Sequence, residues 1–145
     1  MYKGLLKIST AEAHVMRDTI KRLNLERPGW FDLLSYEELA SCYNGAGSDK
    51  TPKPVRKVLT RLLGFAREAV LIHDAEYQYS KEFDTLDYTD PKMFSAANSR
   101  LGENAKLLAK ERTPWYLLPL RYWRMLVARD ASILTDAFGY DAWVE

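Results

Sequence analysis

Four helix-start signals divide this chain and constrain its fold more than any other feature. Ser9-Thr10-Ala11-Glu12 and Ser35-Tyr36-Glu37-Glu38 each read as a capping box. In that motif the serine accepts a bond from an unpaired backbone N–H and the glutamate returns one. Asp90-Pro91 and Thr113-Pro114 pair an N-cap side chain with a proline, whose missing N–H leaves the first helical turn unharmed. Behind these signals apolar residues recur at helical spacing. Ala13, Met16, Ile20 and Leu23 predict a first helix that stops before Pro28-Gly29, and the second box predicts a short helix to about Cys42.

From Val55 onward, Val58, Leu59, Leu62, Leu63, Ala66, Ala69, Val70 and Ile72 keep the period. The spacing predicts a long helix over Val55–Ser80, which Gly64 either divides or merely weakens. Phe94, Ala97, Leu101, Ala105 and Leu108 predict a second long helix over Pro91–Glu111. A last helix follows Thr113-Pro114, kinked or restarted at Pro119 and ended near Gly139. No strand pair or repeat is evident. The expectation is an all-α, single domain over 1–145, with two long antiparallel helices and accessory helices around them.

Composition narrows the function classes. A formal net charge of +1 argues against a nucleic-acid binder that works by neutralising phosphates. With Cys42 as the single cysteine, no internal disulfide is available, and the thiol reads as a small buried apolar group. Met1 to Met16 lacks the continuous apolar run of a secretory signal, and no segment reaches the roughly 20 apolar residues of a membrane span.

Two stretches carry the chemistry. His73-Asp74-Ala75-Glu76-Tyr77 places His73 and Tyr77 on one helical face, with Asp74 about 100° round from the histidine. A histidine suits a general base because its ordinary pKa is near working pH. A carboxylate suits calcium, a hard cation that gathers roughly six to eight oxygens. The upstream loop Tyr43-Asn44-Gly45-Ala46-Gly47 can offer backbone carbonyls, and its glycines permit close approach.

Tyr43-x-Gly45-x-Gly47 followed by His73-Asp74-x-x-Tyr77 resembles the calcium loop and catalytic helix of secreted phospholipase A2 enzymes, and the disulfide-free phospholipase A2 domain of parvovirus capsid proteins. In length and layout the chain is also similar to uncharacterised phage and prophage proteins. It matches them at Asn44-Gly45-Ala46-Gly47, from Ala69 to Tyr77, and loosely over Phe138-Gly139-Tyr140-Asp141-Ala142-Trp143. The resemblance covers roughly 41–143 and leaves 1–30 as an N-terminal helical extension.

What it implies is a phospholipase A2-like fold and a calcium-assisted phospholipid ester hydrolase of phage or prophage origin. His73 would be the base. Asp74 and the carbonyls of Tyr43, Gly45 and Gly47 would bind Ca2+. Asp90 would orient the imidazole, with Asn98 as a replacement that lacks countercharge, and Tyr77 would hydrogen-bond to that aspartate. The implied partner is a phospholipid membrane surface, and the implied location the host cytoplasm or a virion. The alternative is a non-catalytic virion or host-interaction module that keeps the scaffold and contacts a virion or host protein.

Other candidates have plainer readings. His14 reads as an ordinary histidine, and Trp30 and Phe31 as a cap on the core. Trp115, Tyr116, Tyr122, Trp123 and Trp143, beside Arg121, Arg124 and Arg129, read as core aromatics with a basic edge; a membrane-interface role is the alternative. Asp84, Asp87 and Asp90 read as a solvated loop rather than a cation cluster.

Overall fold

The computed structural model of the chain describes residues 8–44, 53–83, 89–140 and 143. These residues fold as six α-helices with no strand among them: α1 (Thr10–Arg22), α2 (Tyr36–Cys42), α3 (Lys53–Leu62), α4 (Arg67–Phe83), α5 (Pro91–Arg112) and α6 (Leu118–Phe138). The all-α expectation holds.

Three of the four start signals begin a helix, Ser9 with one half of its box, because the Glu12 carboxylate accepts from Arg67 Nη2 at 3.1 Å. Ser9 Oγ accepts from Glu12 N at 3.1 Å. At α2 both halves of the capping box form, Glu38 N to Ser35 Oγ at 3.1 Å and Ser35 N to Glu38 Oε2 at 2.7 Å. Asp90 Oδ1 accepts from Lys92 N at 2.9 Å at the head of α5.

Two boundaries differ from expectation. The helix predicted over Val55–Ser80 is two helices, because a 3-10 turn at Gly64–Ala66 separates α3 from α4. Gly64 weakens a helix through its backbone entropy, and the α-helical hydrogen bonding breaks there. The last helix begins at Leu118, not at Pro114: Leu117 N closes a turn on Pro114 O at 2.9 Å. Pro119 therefore occupies the first helical turn, where its missing N–H is harmless.

One core unites α1, α2, α4, α5 and α6 around Ile20, Phe31, Leu39, Leu71, Ile72 and Leu108. A smaller cluster of Phe94, Ala97 and Trp143, with Tyr77 and Met93 against it, closes the end of α4 and α5. Cys42 is buried and Phe31 wholly so, while Trp30 stacks on Phe83 with ring centroids 5.0 Å apart.

Helices α4 and α5 run antiparallel, since Glu68 pairs with Arg112 and Glu76 with Arg100. The Arg112 guanidinium takes both Glu68 oxygens, at 2.7 and 2.5 Å. Asn104 of α5 returns both bonds of the Glu26 backbone, at 2.9 and 2.8 Å, and so ties the segment after α1 to the long helix.

Helices α5 and α6 are also antiparallel and approach closely where α5 presents Gly102. A Cβ there would lie 2.9 Å from Ser132 Cβ. Arg124 stands level with the end of α5, donating to Thr113 Oγ1 at 2.9 Å. The chain before Arg124 has no α5 residue opposite it. That register explains why the aromatic group is not core: Trp115 is 76% exposed, Tyr116 67%, Tyr122 66% and Trp123 55%, while Trp143 is buried.

The α5–α6 approach has a sign that can be measured. An ordinary helical Gly→Ala change gains about 1 kcal/mol, whereas overpacking costs about 1–3 kcal/mol. Gly102→Ala is expected to lower stability in urea unfolding. A stabilised variant would mean that α5 and α6 are not in contact here.

Candidate functional site

His73 projects from the middle of α4 and is 8% exposed. Its Nε2 lies 2.8 Å from Asn98 Oδ1 on α5. Asn98 is 1% exposed, and its Nδ2 donates to Asp136 Oδ1 on α6 at 3.3 Å. Asp136 Oδ1 also accepts from Ser95 Oγ at 2.8 Å. Directions along this chain are forced. A carboxylate only accepts, so the amide nitrogen faces Asp136 and the amide oxygen faces the ring. An amide oxygen likewise only accepts, so Nε2 carries the imidazole proton. Nδ1 is left with the lone pair, as a base requires.

Burial pushes the His73 pKa down to about 4; the Asn98 hydrogen bond opposes this, and the Arg100 guanidinium adds to it. The imidazole is therefore neutral at pH 7. Beside it is a cavity of about 20 Å³, lined by His73 and Thr135 and by Leu59, Leu63, Val70, Leu101 and Ala131. That volume holds one water and no acyl chain.

Asp74 sits one residue further on, half-buried, at the root of the glycine loop. Its Oδ2 accepts from Asn44 N at 2.8 Å across 30 residues of sequence. Arg56 of α3 grips the same asparagine, with Nη2 2.6 Å from Asn44 Oδ1. Tyr43 is buried, with the Arg67 guanidinium 5.7 Å from its ring centroid, and burial raises its hydroxyl pKa. The loop therefore starts beside the His-Asp pair. Gly45 and Gly47 lie outside the described residues, as do Asp84 and Asp87.

Among the described residues no group of three or more histidine, cysteine or acidic side chains gathers in a metal-holding arrangement. A calcium site here would pair the Asp74 carboxylate with carbonyl oxygens of the adjoining loop, a donor set that suits this hard cation. The donor chemistry of Asp74 and the Tyr43 carbonyl fits that ion. The Asn44 bond puts the carboxylate next to the loop.

The residue nominated to orient the histidine stands elsewhere. Asp90 is exposed and occupied as the N-cap of α5, eight residues before Asn98. At 1.5 Å per residue that is roughly 12 Å along the axis, beyond side-chain reach of the ring. Asn98 holds the imidazole instead, with Asp136 one bond behind.

Asn98 had a sequence signal, as a polar residue inside the apolar stripe of Phe94, Ala97, Leu101 and Ala105. Asp136 had none, because only the packing of α6 on α5 brings it there. Tyr77 packs its ring 4.6 Å from His73, and its hydroxyl pKa is raised first by burial and then by Asp74. That buried hydroxyl has no hydrogen-bond partner among the described residues and lies against Gly139. It bonds to neither Asp90 nor Asp136.

The buried neutral histidine gives stability a pH signature. The unfolded chain takes up a proton near 6.5, the folded one only near 4. This contribution is complete above about pH 6.5 and is lost progressively as pH falls toward 4. By the free energy of one pKa unit it amounts to roughly 3 kcal/mol across the whole window. In urea titrations at pH 7 and 4.5, His73→Gln should lose markedly less stability on acidification than the native chain. Equal losses would mean that the folded imidazole is not protected from protonation.

Compared with known proteins, the chain matches no protein-family model, no curated protein and no solved structure.

Proposed function

We propose that this chain is a calcium-assisted phospholipid ester hydrolase with a phospholipase A2-like arrangement, in which His73 activates water. The observation that carries the reading is the hydrogen bond from Asn44 N to Asp74 Oδ2, which joins the start of the glycine loop to the helix bearing the histidine. The motif resemblance is also the ground for reading it as phage- or prophage-encoded.

The chain's own residues supply the base and its orientation. The His73 ring lines a cavity beside Thr135, and a water held there would give its proton to Nδ1, the nitrogen left with the lone pair. Asn98 fixes the ring by accepting from Nε2, and Asp136 fixes Asn98. The Tyr77 ring packs beside the imidazole. When the imidazole charges, it meets an amide dipole first and a carboxylate only one bond further on. That weakens the base relative to one paired directly with aspartate. Asp74 and the carbonyls of Tyr43, Gly45 and Gly47 would hold Ca2+, which when bound stabilises negative charge on the ester oxygen.

A second reading has an observation of its own. The buried imidazole and a cavity that admits water but no acyl chain favour a module that kept the scaffold and contacts a virion or host protein without turnover.

Fatty-acid release from phospholipid vesicles separates the two. The hydrolase reading expects calcium-dependent release that vanishes in His73→Ala and falls at least tenfold in Asp74→Asn. It also expects Asn98→Asp made together with Asp136→Asn to raise kcat severalfold, because a carboxylate then faces the imidazolium directly and an amide donates to it from behind. No release from the native chain or from the paired Asn98→Asp and Asp136→Asn variant, with both folded, favours the module.

A further inference from the structure

The helix α3 is built unlike the others. It buries none of its ten residues, and its sequence Lys-Pro-Val-Arg-Lys-Val-Leu-Thr-Arg-Leu sorts cleanly by face. At 100° per residue, Val55, Val58, Leu59 and Leu62 fall within about 100° of one another, and Lys53, Arg56, Lys57 and Arg61 lie on the remaining arc. The apolar face is open: Val58 is 55% exposed, Val55 45% and Leu62 38%. The chain carries 21 basic and 20 acidic residues, yet this helix holds four cations and no acid. Only Leu59, with Leu63 just past the helix end, turns inward, to line the cavity beside His73.

We propose that α3 is an interfacial helix that docks on an anionic phospholipid surface, its apolar face among the acyl chains near the headgroups and its cations against lipid phosphates. Such helices pair an apolar stripe with a basic polar face, which is the pattern here. Arg56 is engaged at Asn44, so Lys57 and Arg61 carry the electrostatic contact. Long basic side chains reach headgroup depth while their stems lie along the apolar boundary.

Charge also decides against a second copy as the occupant. A second α3 carries no acid to offset these four cations, whereas an anionic surface offsets them directly. The exposed Trp115, Tyr116, Tyr122 and Trp123 independently suit a headgroup boundary, where aromatic rings with a polar edge concentrate. The choice of lipid as partner rests on the hydrolase reading. Its test reads binding instead of turnover, so the two can fail separately.

Co-sedimentation with phosphatidylcholine vesicles, with and without 30% phosphatidylglycerol, provides the test. EDTA is included to keep calcium-assisted chemistry silent. The native chain should bind the anionic vesicles at least tenfold more tightly than the neutral ones and release as salt is raised. Each surface cation is worth about fivefold near such a membrane, so Lys57→Glu with Arg61→Glu should weaken binding by more than tenfold. Val58→Asp, at an open position, should do the same with an unchanged melting temperature. The proposal is overturned by equal binding to both vesicle types, by binding to neither, or by a folded Val58→Asp chain that binds like the native one. It is also overturned if the native chain self-associates through α3, with Val58→Asp abolishing the association and vesicles left unbound.

Discussion

The close approach of α5 and α6 governs where everything else can stand. Gly102 lets the two backbones come together, and Ser132 fills the resulting space and donates to the Asn98 carbonyl at 2.8 Å. Asn98 is thereby held from behind by α6 while its amide faces α4. Were the helices a few ångströms further apart, Asp136 would lose the amide and the amide would lose its single orientation. The tautomer of His73 is thus decided by packing two helices away from it.

Charged groups join the same helices at a cost. Glu68 and Glu76 are almost wholly buried on α4, and each meets an arginine projecting from α5 or its end. Taking such ions out of water is expensive, and the attraction repays it only with good geometry and further hydrogen bonds. Arg112 has both, since it also donates to the Phe65 carbonyl at 2.9 Å. A slip of α5 along α4 by one residue would break both pairs, so they favour one register. The apolar contacts between these helices are less selective.

Local chemistry was legible in the sequence, and long-range proximity was not. Helix starts at Ser9, Ser35 and Asp90 depend on neighbours three residues away or fewer, and each forms as its residues dictate. The division at Gly64 was open, because a glycine weakens a helix without saying what the chain does next. The exposure of Trp115 and Trp123 was hidden, since hydrophobicity alone does not reveal that α5 ends before it could cover them. Asp90 looked like an orienting carboxylate because its spacing to Phe94 nearly fitted a motif; the helix start claimed it first. Asn98 was visible as a polar interruption in an apolar stripe. Asp136, 38 residues further on, could be found only once α6 was laid against α5.

Asn44 answers to two helices at once, its side chain to Arg56 and its backbone to Asp74. This arrangement makes a single asparagine the mechanical link between an outlying helix and the carboxylate adjoining the imidazole. A force that tilts the first must either stretch that link or carry the second with it.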